Sequence, residues 1–212
     1  MTPHAALARG LEELELVLPA STCDQLIAYV MLLAKWNRSY NLTAIREPLA
    51  MVSHHLLDSL AVLPHLPLPP QAARVADVGT GAGLPGIPLA LARPQWHVAL
   101  IESNQKKAAF LRQAAIELGI GNVEVHEGRA EEWQPQERFG LVTSRAFAEL
   151  AAFVAACRHL LVPGGTFAAM KGKQPTAEIK RLPPEVQLRS VLRLRTPLRE
   201  AERHLVLCEL QA

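Results

Sequence analysis

The chain has 212 residues, half of them hydrophobic and only 5% aromatic, with a formal net charge of +2. That length suits one α/β domain with a modest appendage, and the aliphatic bias suits parallel strands buried beneath helices. No apolar run approaches the ~20 residues that a membrane span requires. Residues 1–20 lack the basic start and apolar stretch of a secretory signal, and Cys23, Cys157 and Cys208 have no metal-ligand spacing. The expectation is a metal-free, monomeric protein of the reducing cytoplasm, with no membrane contact.

Residues 1–70 read as a helical appendage. Leu7, Leu11, Leu14 and Val17 recur at helical spacing, as do Leu26, Val30, Leu33 and Asn37. A third helix is expected from Pro48, a residue favoured in a first turn, to Pro64. Within it His55, Asp58 and Ser59 form a polar stripe opposite Val52, Leu56, Leu60 and Leu63. A hydrogen-bonded contact holding the appendage to the rest accounts for that stripe better than a metal site does. Trp36 and Tyr40 suit either packing or stacking on RNA bases. Pro67, Pro69 and Pro70 make a stiff connector before the second unit, residues 71–212.

From Arg74 onward the pattern alternates. Strand-like runs at residues 75–78, 97–101, 123–126, 141–144 and 166–170 are separated by helical stretches, clearest at 105–118 and 149–161. Such alternation predicts a parallel sheet with helices on both faces. The runs at 186–194 and 204–210 leave no room for a crossover helix, so they are expected to pair antiparallel as a C-terminal hairpin. Five parallel strands plus such a hairpin resemble the Rossmann-like sheet of class I methyltransferases.

The segment ADVGTGAGLPG (residues 76–86) ends a buried strand and opens a helix through glycines at 79, 81, 83 and 86. Glycine there lets a ligand lie against bare backbone, and the helix N-terminus offers free N–H groups to an anion. Gly81, Gly83 and Gly86 satisfy the G-x-G-x-x-G spacing of dinucleotide enzymes, so an NAD-linked oxidoreductase is one reading. Asp77 opposes it. A carboxylate ~5 Å from a pyrophosphate costs about 3 kcal/mol at an effective dielectric of ~20. S-adenosylmethionine carries a sulfonium and an α-ammonium and no phosphate, so Asp77 would favour it; the alternative is a turn-stabilising Asp77. Glu102, ending the second strand, suits ribose hydroxyls in either ligand.

Several segments together resemble one family, the bacterial 16S ribosomal RNA guanine-N7 methyltransferases, also called glucose-inhibited division protein B. They are NLTAI (41–45), HLLDS (55–59), DVGTGAGLPGIPLA (77–90), ESNQKKAAFLR (102–112), GRAEE (128–132), SRAFA (144–148) and MKGK (170–173), in order along most of the chain. The resemblance implies S-adenosylmethionine as cofactor and 16S ribosomal RNA, or the small subunit, as partner. It implies cofactor contacts at Gly79 and Leu84, with Ala130 and Glu131 facing the adenine and Arg145 where cofactor and target base meet. His54 stands where the family usually has Lys or Arg. The chain beyond Lys173 matches poorly.

Guanine N7 already holds an in-plane lone pair and loses no proton on attack, so no general base is needed. Alignment and local charge carry such a reaction. The fourth strand ends in Thr143-Ser144-Arg145-Ala146, without the Asn/Asp-Pro-Pro-Tyr/Phe of amino-methylating enzymes. Arg145 is the leading catalytic and substrate-binding candidate, since a guanidinium can pair with phosphate, stack on a base or donate to guanine O6. An ordinary ion pair with a nearby glutamate is its alternative. Lys171 and Lys173 are candidate phosphate contacts.

Positive charge is uneven along the chain. Residues 1–73 hold four Lys/Arg against six Asp/Glu, and residues 171–212 hold nine against five. An RNA partner would explain that skew, as would arginines on the solvent face of an edge strand. A methyltransferase for another RNA, a small molecule or a protein, and a non-enzymatic RNA-binding protein on the same scaffold, complete the alternatives.

Overall fold

The computed structural model describes residues 1–68, 73–145, 147 and 149–211. Pro69 and Pro70 of the expected connector, and Ala146 and Ala148 of SRAFA, lie outside the described residues.

Seven strands form one sheet: β1 (Arg74–Val78), β2 (His97–Glu102), β3 (Val123–Glu127), β4 (Phe139–Ser144), β5 (Leu161–Lys171), β6 (Val186–Arg193) and β7 (His204–Leu210), in the order β3-β2-β1-β4-β5-β7-β6. β1 to β5 pair parallel, while β7 runs antiparallel between β5 and β6. The five parallel strands and the terminal hairpin are those read from the sequence.

Strand periodicity divides the core in two. Val75, Val98, Leu100, Leu141, Ala168 and Leu205 face one side, and Ala76, Val78, Ala99, Ile101, Val142 and Phe167 face the other. Successive side chains point to opposite faces, so strands covered on both faces read as nearly unbroken aliphatic runs. The second side packs against α7 (Leu150–Cys157). The first packs against α5 (Gly86–Ala92), α6 (Gln105–Glu117) and the N-terminal helices.

Those helices are α1 (Pro3–Glu13), α2 (Ala20–Tyr40), α3 (Pro48–Met51) and α4 (Asp58–Leu60), the last two joined without a break by a π-helical segment, Val52–Leu57. Thr2 caps α1, its hydroxyl accepting from the Ala5 N–H, and α1 stops before Leu14. Leu7, Leu11 and Leu14 are buried as expected, but Val17, past the helix end, is 96% exposed. The third helix ends at Leu60 rather than Pro64, with a 3-10 turn at Leu63–His65. Its polar stripe does not face solvent: His55, Asp58 and Ser59 are as buried as Val52, Leu56 and Leu60. A short helix, α8 (Thr176–Ile179), follows β5. Among the described residues no helix is long and apolar enough to cross a membrane.

Candidate functional site

β1 and β4 are neighbours at the centre of the sheet, and the loops leaving their C-terminal ends build the site. Between β1 and α5 the glycine loop folds back on two carboxylates. Asp77 Oδ2 accepts from the Thr80 hydroxyl at 2.5 Å and from the Gly86 N–H at 2.7 Å. Glu102 Oε2 accepts from the Gly81 N–H and Oε1 from the Asn104 N–H, both at 2.8 Å. From the other side, the Tyr29 hydroxyl of α2 donates to the Ala82 carbonyl at 2.7 Å in a fully buried contact. The appendage thus helps to set the loop's shape.

Two glycines are required for different reasons. Gly79 has φ +65° and nothing within 4 Å of a would-be Cβ, so it presents bare backbone to open space. At Gly86 a Cβ would lie 2.8 Å from Asp77 Oδ2, so only glycine lets its N–H reach that carboxylate.

Asp77 is fully buried, and its second oxygen, Oδ1, has no hydrogen-bond partner among the described residues. Burial pushes its carboxyl up to about 6, against the pull of Thr80, Gly86 and Arg145. A buried acceptor left open beside a turn is costly unless a ligand's donor completes it. That unpartnered oxygen and the bare backbone at Gly79 fit a small cationic nucleoside such as S-adenosylmethionine.

Beside the loop lies a cavity of about 260 Å³ lined by Gly79, Ile101, Ser103, Arg129, Ala130, Glu131 and Phe147, among others. Gly79, Ala130 and Glu131 are therefore brought together as expected. Gly81, Gly83 and Glu102 shape the loop without lining this cavity, and Leu84 is buried in the core at 2% exposure. Ser103, Arg129 and Phe147 were not anticipated, although each lies within two residues of one that was.

A second cavity, of about 360 Å³, is lined by Ile45, His54, His55, Asp58, Arg145, Met170, Lys171, Gly172, Arg199 and Arg203. Its centre is the buried Asp58 carboxylate. Oδ1 accepts from Arg199 Nη2 and Arg203 Nε, both at 2.8 Å, while Oδ2 lies 3.7 Å from Arg145 Nη1. Arg145 does form an ion pair, then, but with Asp58 rather than a glutamate, and at long range. Three guanidiniums around one carboxylate leave two positive charges unbalanced. The loop between β6 and β7 is braced by Thr196, whose hydroxyl donates to the Arg199 and Ala201 carbonyls at 3.2 and 3.0 Å. His55 meets the Thr43 hydroxyl through Nε2 at 2.8 Å. Burial, aided by Arg145, holds its imidazole down to about 4, so it is neutral near pH 7.

A third cavity, of about 390 Å³, lies between these two, with Phe147 in common with the first and Arg145, Met170, Lys171 and Gly172 in common with the second; Lys173 lines it too. Lys171 is nearly buried. Its ammonium lies 2.8 Å from Glu178 and donates to the Phe147 carbonyl at 3.2 Å, while Glu178 also caps α7 at the Leu150 N–H. These bonds brace the segment that carries Arg145 and Phe147. Among the described residues no group of three His, Cys, Asp or Glu could hold a metal ion.

A family profile described as rRNA small subunit methyltransferase G, GidB, matches residues 22–206. The chain belongs to that family. The small subunit methyltransferase G of Laribacter hongkongensis is 51% identical over 94% of this chain and 95% of its own. That of Chromobacterium violaceum is 50% identical over all of both. Among solved structures, the glycopeptide N-methyltransferase MtfA, determined with S-adenosylmethionine, superposes with a TM-score of 0.58 at 14% identity, covering 72% of this chain and 93% of that one. At that identity the likeness concerns the fold. In this member of the methyltransferase G family, Tyr29, Arg199 and Arg203 escaped sequence reasoning, because each reaches the site from far along the chain.

Proposed function

We propose that the chain transfers the methyl group of S-adenosylmethionine to N7 of a guanine in 16S ribosomal RNA, with the cavity at Gly79 taking the cofactor and the arginine-lined cavity taking the target nucleotide. The observation that carries this reading is the position of Arg145 and Phe147, which line a third cavity lying between the other two. Residues 71–212 serve as the catalytic unit and residues 1–70 as its appendage, acting as a cytoplasmic monomer. When bound, S-adenosylmethionine supplies a methyl carbon activated by its sulfonium.

Each residue group has a part in that transfer. Asp77 Oδ1 is the open acceptor for a cationic donor of the cofactor, and Glu102 is placed for the ribose. Ala130 and Glu131 flank the adenine, while Gly81, Gly83 and Leu84 keep the loop in form. Arg145 donates to the guanine edge or its phosphate, with Arg199, Arg203 and Lys173 holding neighbouring phosphates. Lys171 acts through the segment that it braces. No group in the target cavity has to accept a proton, which agrees with the neutral, weakly basic His55.

The reading is tested by incubating purified protein and radiolabelled S-adenosylmethionine with small subunits lacking the modification. Label in 16S ribosomal RNA is expected; cofactor binding without transfer to RNA would refute the substrate.

Asp77 adds a pH dependence. A cation bound at Oδ1 favours the ionised carboxylate, so binding must expel a proton once pH falls below about 6. Cofactor affinity should then weaken by up to about tenfold per pH unit below that point and stay flat above pH 7. In the free protein the raised value has the opposite sense: stability drops as pH rises from the ordinary carboxylate range through about 6. Asp77→Asn should therefore raise the Tm at pH 7.5 while weakening cofactor binding and removing its pH dependence. Calorimetry of both proteins at pH 5, 6 and 7.5 checks all three.

A further inference from the structure

A methyl transfer carried by alignment depends on whatever sets the spacing between the two bound molecules. The glycine loop is bonded to the sheet through Asp77, Glu102 and the Ile101 carbonyl, and Tyr29 adds one bond from the appendage. The tyrosine hydroxyl donates to the carbonyl of Ala82, which stands between Gly81 and Gly83, both at positive φ. Backbone of that kind is permissive, so an outside bond has a shape to fix.

The same helix holds a wall of the target cavity. Asn41, at positive φ, turns the chain at the end of α2, and the residues that follow return to it. Buried Asn37 accepts from the Thr43 N–H at 2.8 Å and donates to the Ile45 carbonyl at 3.1 Å. Ile45 lines the target cavity, as does His55, whose Nε2 meets the Thr43 hydroxyl at 2.8 Å. Both ends of the Asn37 amide are thus engaged by the segment that lines the cavity.

Between these two attachments α2 is stiff. It runs 21 residues without a glycine or proline, and Leu26, Val30 and Leu33 are fully buried along it. Gln25 ties it to the end of α6 through the Leu118 carbonyl at 3.1 Å. Tyr29 and Trp36 pack against Phe110 of α6, with ring centroids 6.4 and 5.6 Å away. Tyr29 and Asn37 stand ~12 Å apart along the helix axis.

We infer that α2 is a strut that sets the separation between the cofactor loop and the target wall, with Tyr29 and Asn37 as the positioning residues at its two attachments. Each acts through the segment that it holds. The inference rests on the reading of the cavity at Gly79 as the cofactor's and the arginine-lined cavity as the target nucleotide's.

The test measures single-turnover transfer to small subunits at saturating cofactor and RNA for wild-type protein, Tyr29→Phe, Asn37→Ala and the double variant. Cofactor affinity, RNA affinity and Tm are measured alongside. Tyr29→Phe keeps the ring and its packing; should Asn37→Ala fail to fold, Thr43→Val cuts the same path at the His55 contact. Tyr29→Phe is expected to weaken cofactor binding several-fold at unchanged RNA affinity, and Asn37→Ala to do the reverse. Each should slow saturated transfer by about tenfold, part of the ~10²-fold that a 1 Å misplacement costs. A strut freed at one end no longer fixes the spacing, so the double variant should be at most about threefold slower than the slower single variant. Two residues ~12 Å apart without a shared hydrogen-bond partner would otherwise act independently, and their effects would multiply to about 100-fold. A double variant outside that margin, or a single variant transferring at the wild-type rate, overturns the strut. A wild type that transfers no methyl to the subunit removes the underlying reading instead.

Discussion

Arg145→Ala is expected to lower the rate of methyl transfer by about 10²–10³-fold at saturating cofactor and RNA, the usual consequence of losing one preorganised donor at a reacting centre. Folding should survive, because the only ion pair that Arg145 makes among the described residues is the 3.7 Å contact with Asp58, which retains Arg199 and Arg203. Cofactor affinity should change little, since Arg145 lines the target and third cavities and not the one at Gly79. Arg145→Lys should restore charge but not a planar fork, and so recover only part of the loss. Single-turnover transfer, with cofactor affinity measured separately, distinguishes this from a structural role. A variant within threefold of wild type in rate would remove Arg145 from the chemistry.

The second large effect is on stability. Asp58→Ala removes the carboxylate that two guanidiniums share, leaving the side chain of Arg199, only 11% exposed, without its anion. Removing one partner of a buried pair strands the other charge, at a cost of about 3–5 kcal/mol. Arg203 is 30% exposed and can turn to water, so the lower end of about 3 kcal/mol applies. The link between residues 141 and 145 positions apart, which ties the β6–β7 loop to the end of the π-helical segment, goes with it. Urea denaturation reads the stability. A rise in KM for RNA, without a matching change for cofactor, reads the loss of the arginines' bearing. A stability change below about 1 kcal/mol would mean that the cluster is held together by something else.

The contrast between Asp58 and the glycine loop shows what the sequence could reveal. The loop is local: a buried strand, four glycines within eight residues and a helix start are contiguous, so their joint geometry can be read directly. The central parallel strands were legible for a related reason, because burial on both faces leaves a largely apolar run in β1 and β2, whereas edge strand β3, Val-Glu-Val-His-Glu, alternates. Asp58 stood out as part of a stripe at i, i+3 and i+4, but its partners lie on a loop beyond β6 that no local pattern connects to it. Tyr29 was invisible for the same reason, being one apolar-side residue among many on α2 until Ala82 is placed against it.

Charge counted along the chain does not reveal which of those charges the fold pairs. The C-terminal fifth is the most basic stretch, yet folding brings Glu15, Asp58 and Glu149 to its arginines and cancels much of that excess. The N-terminal region is net acidic in sequence, yet its exposed Arg38 and Arg46 make no ion pair among the described residues. Net charge is a property of composition; the field that RNA meets depends on which charges the fold pairs.

The most direct test of the central claim is the identity of the methylated nucleoside. Small subunits lacking the modification are treated with wild-type protein and S-adenosylmethionine, and their RNA is digested and analysed by mass spectrometry. The expected product is 7-methylguanosine at a single position, formed at a rate that is flat from pH 7 to 8.5 because no base has to accept a proton. A methyl group on an exocyclic amine, with a rate that climbs with pH, would contradict the base-free transfer deduced from this site.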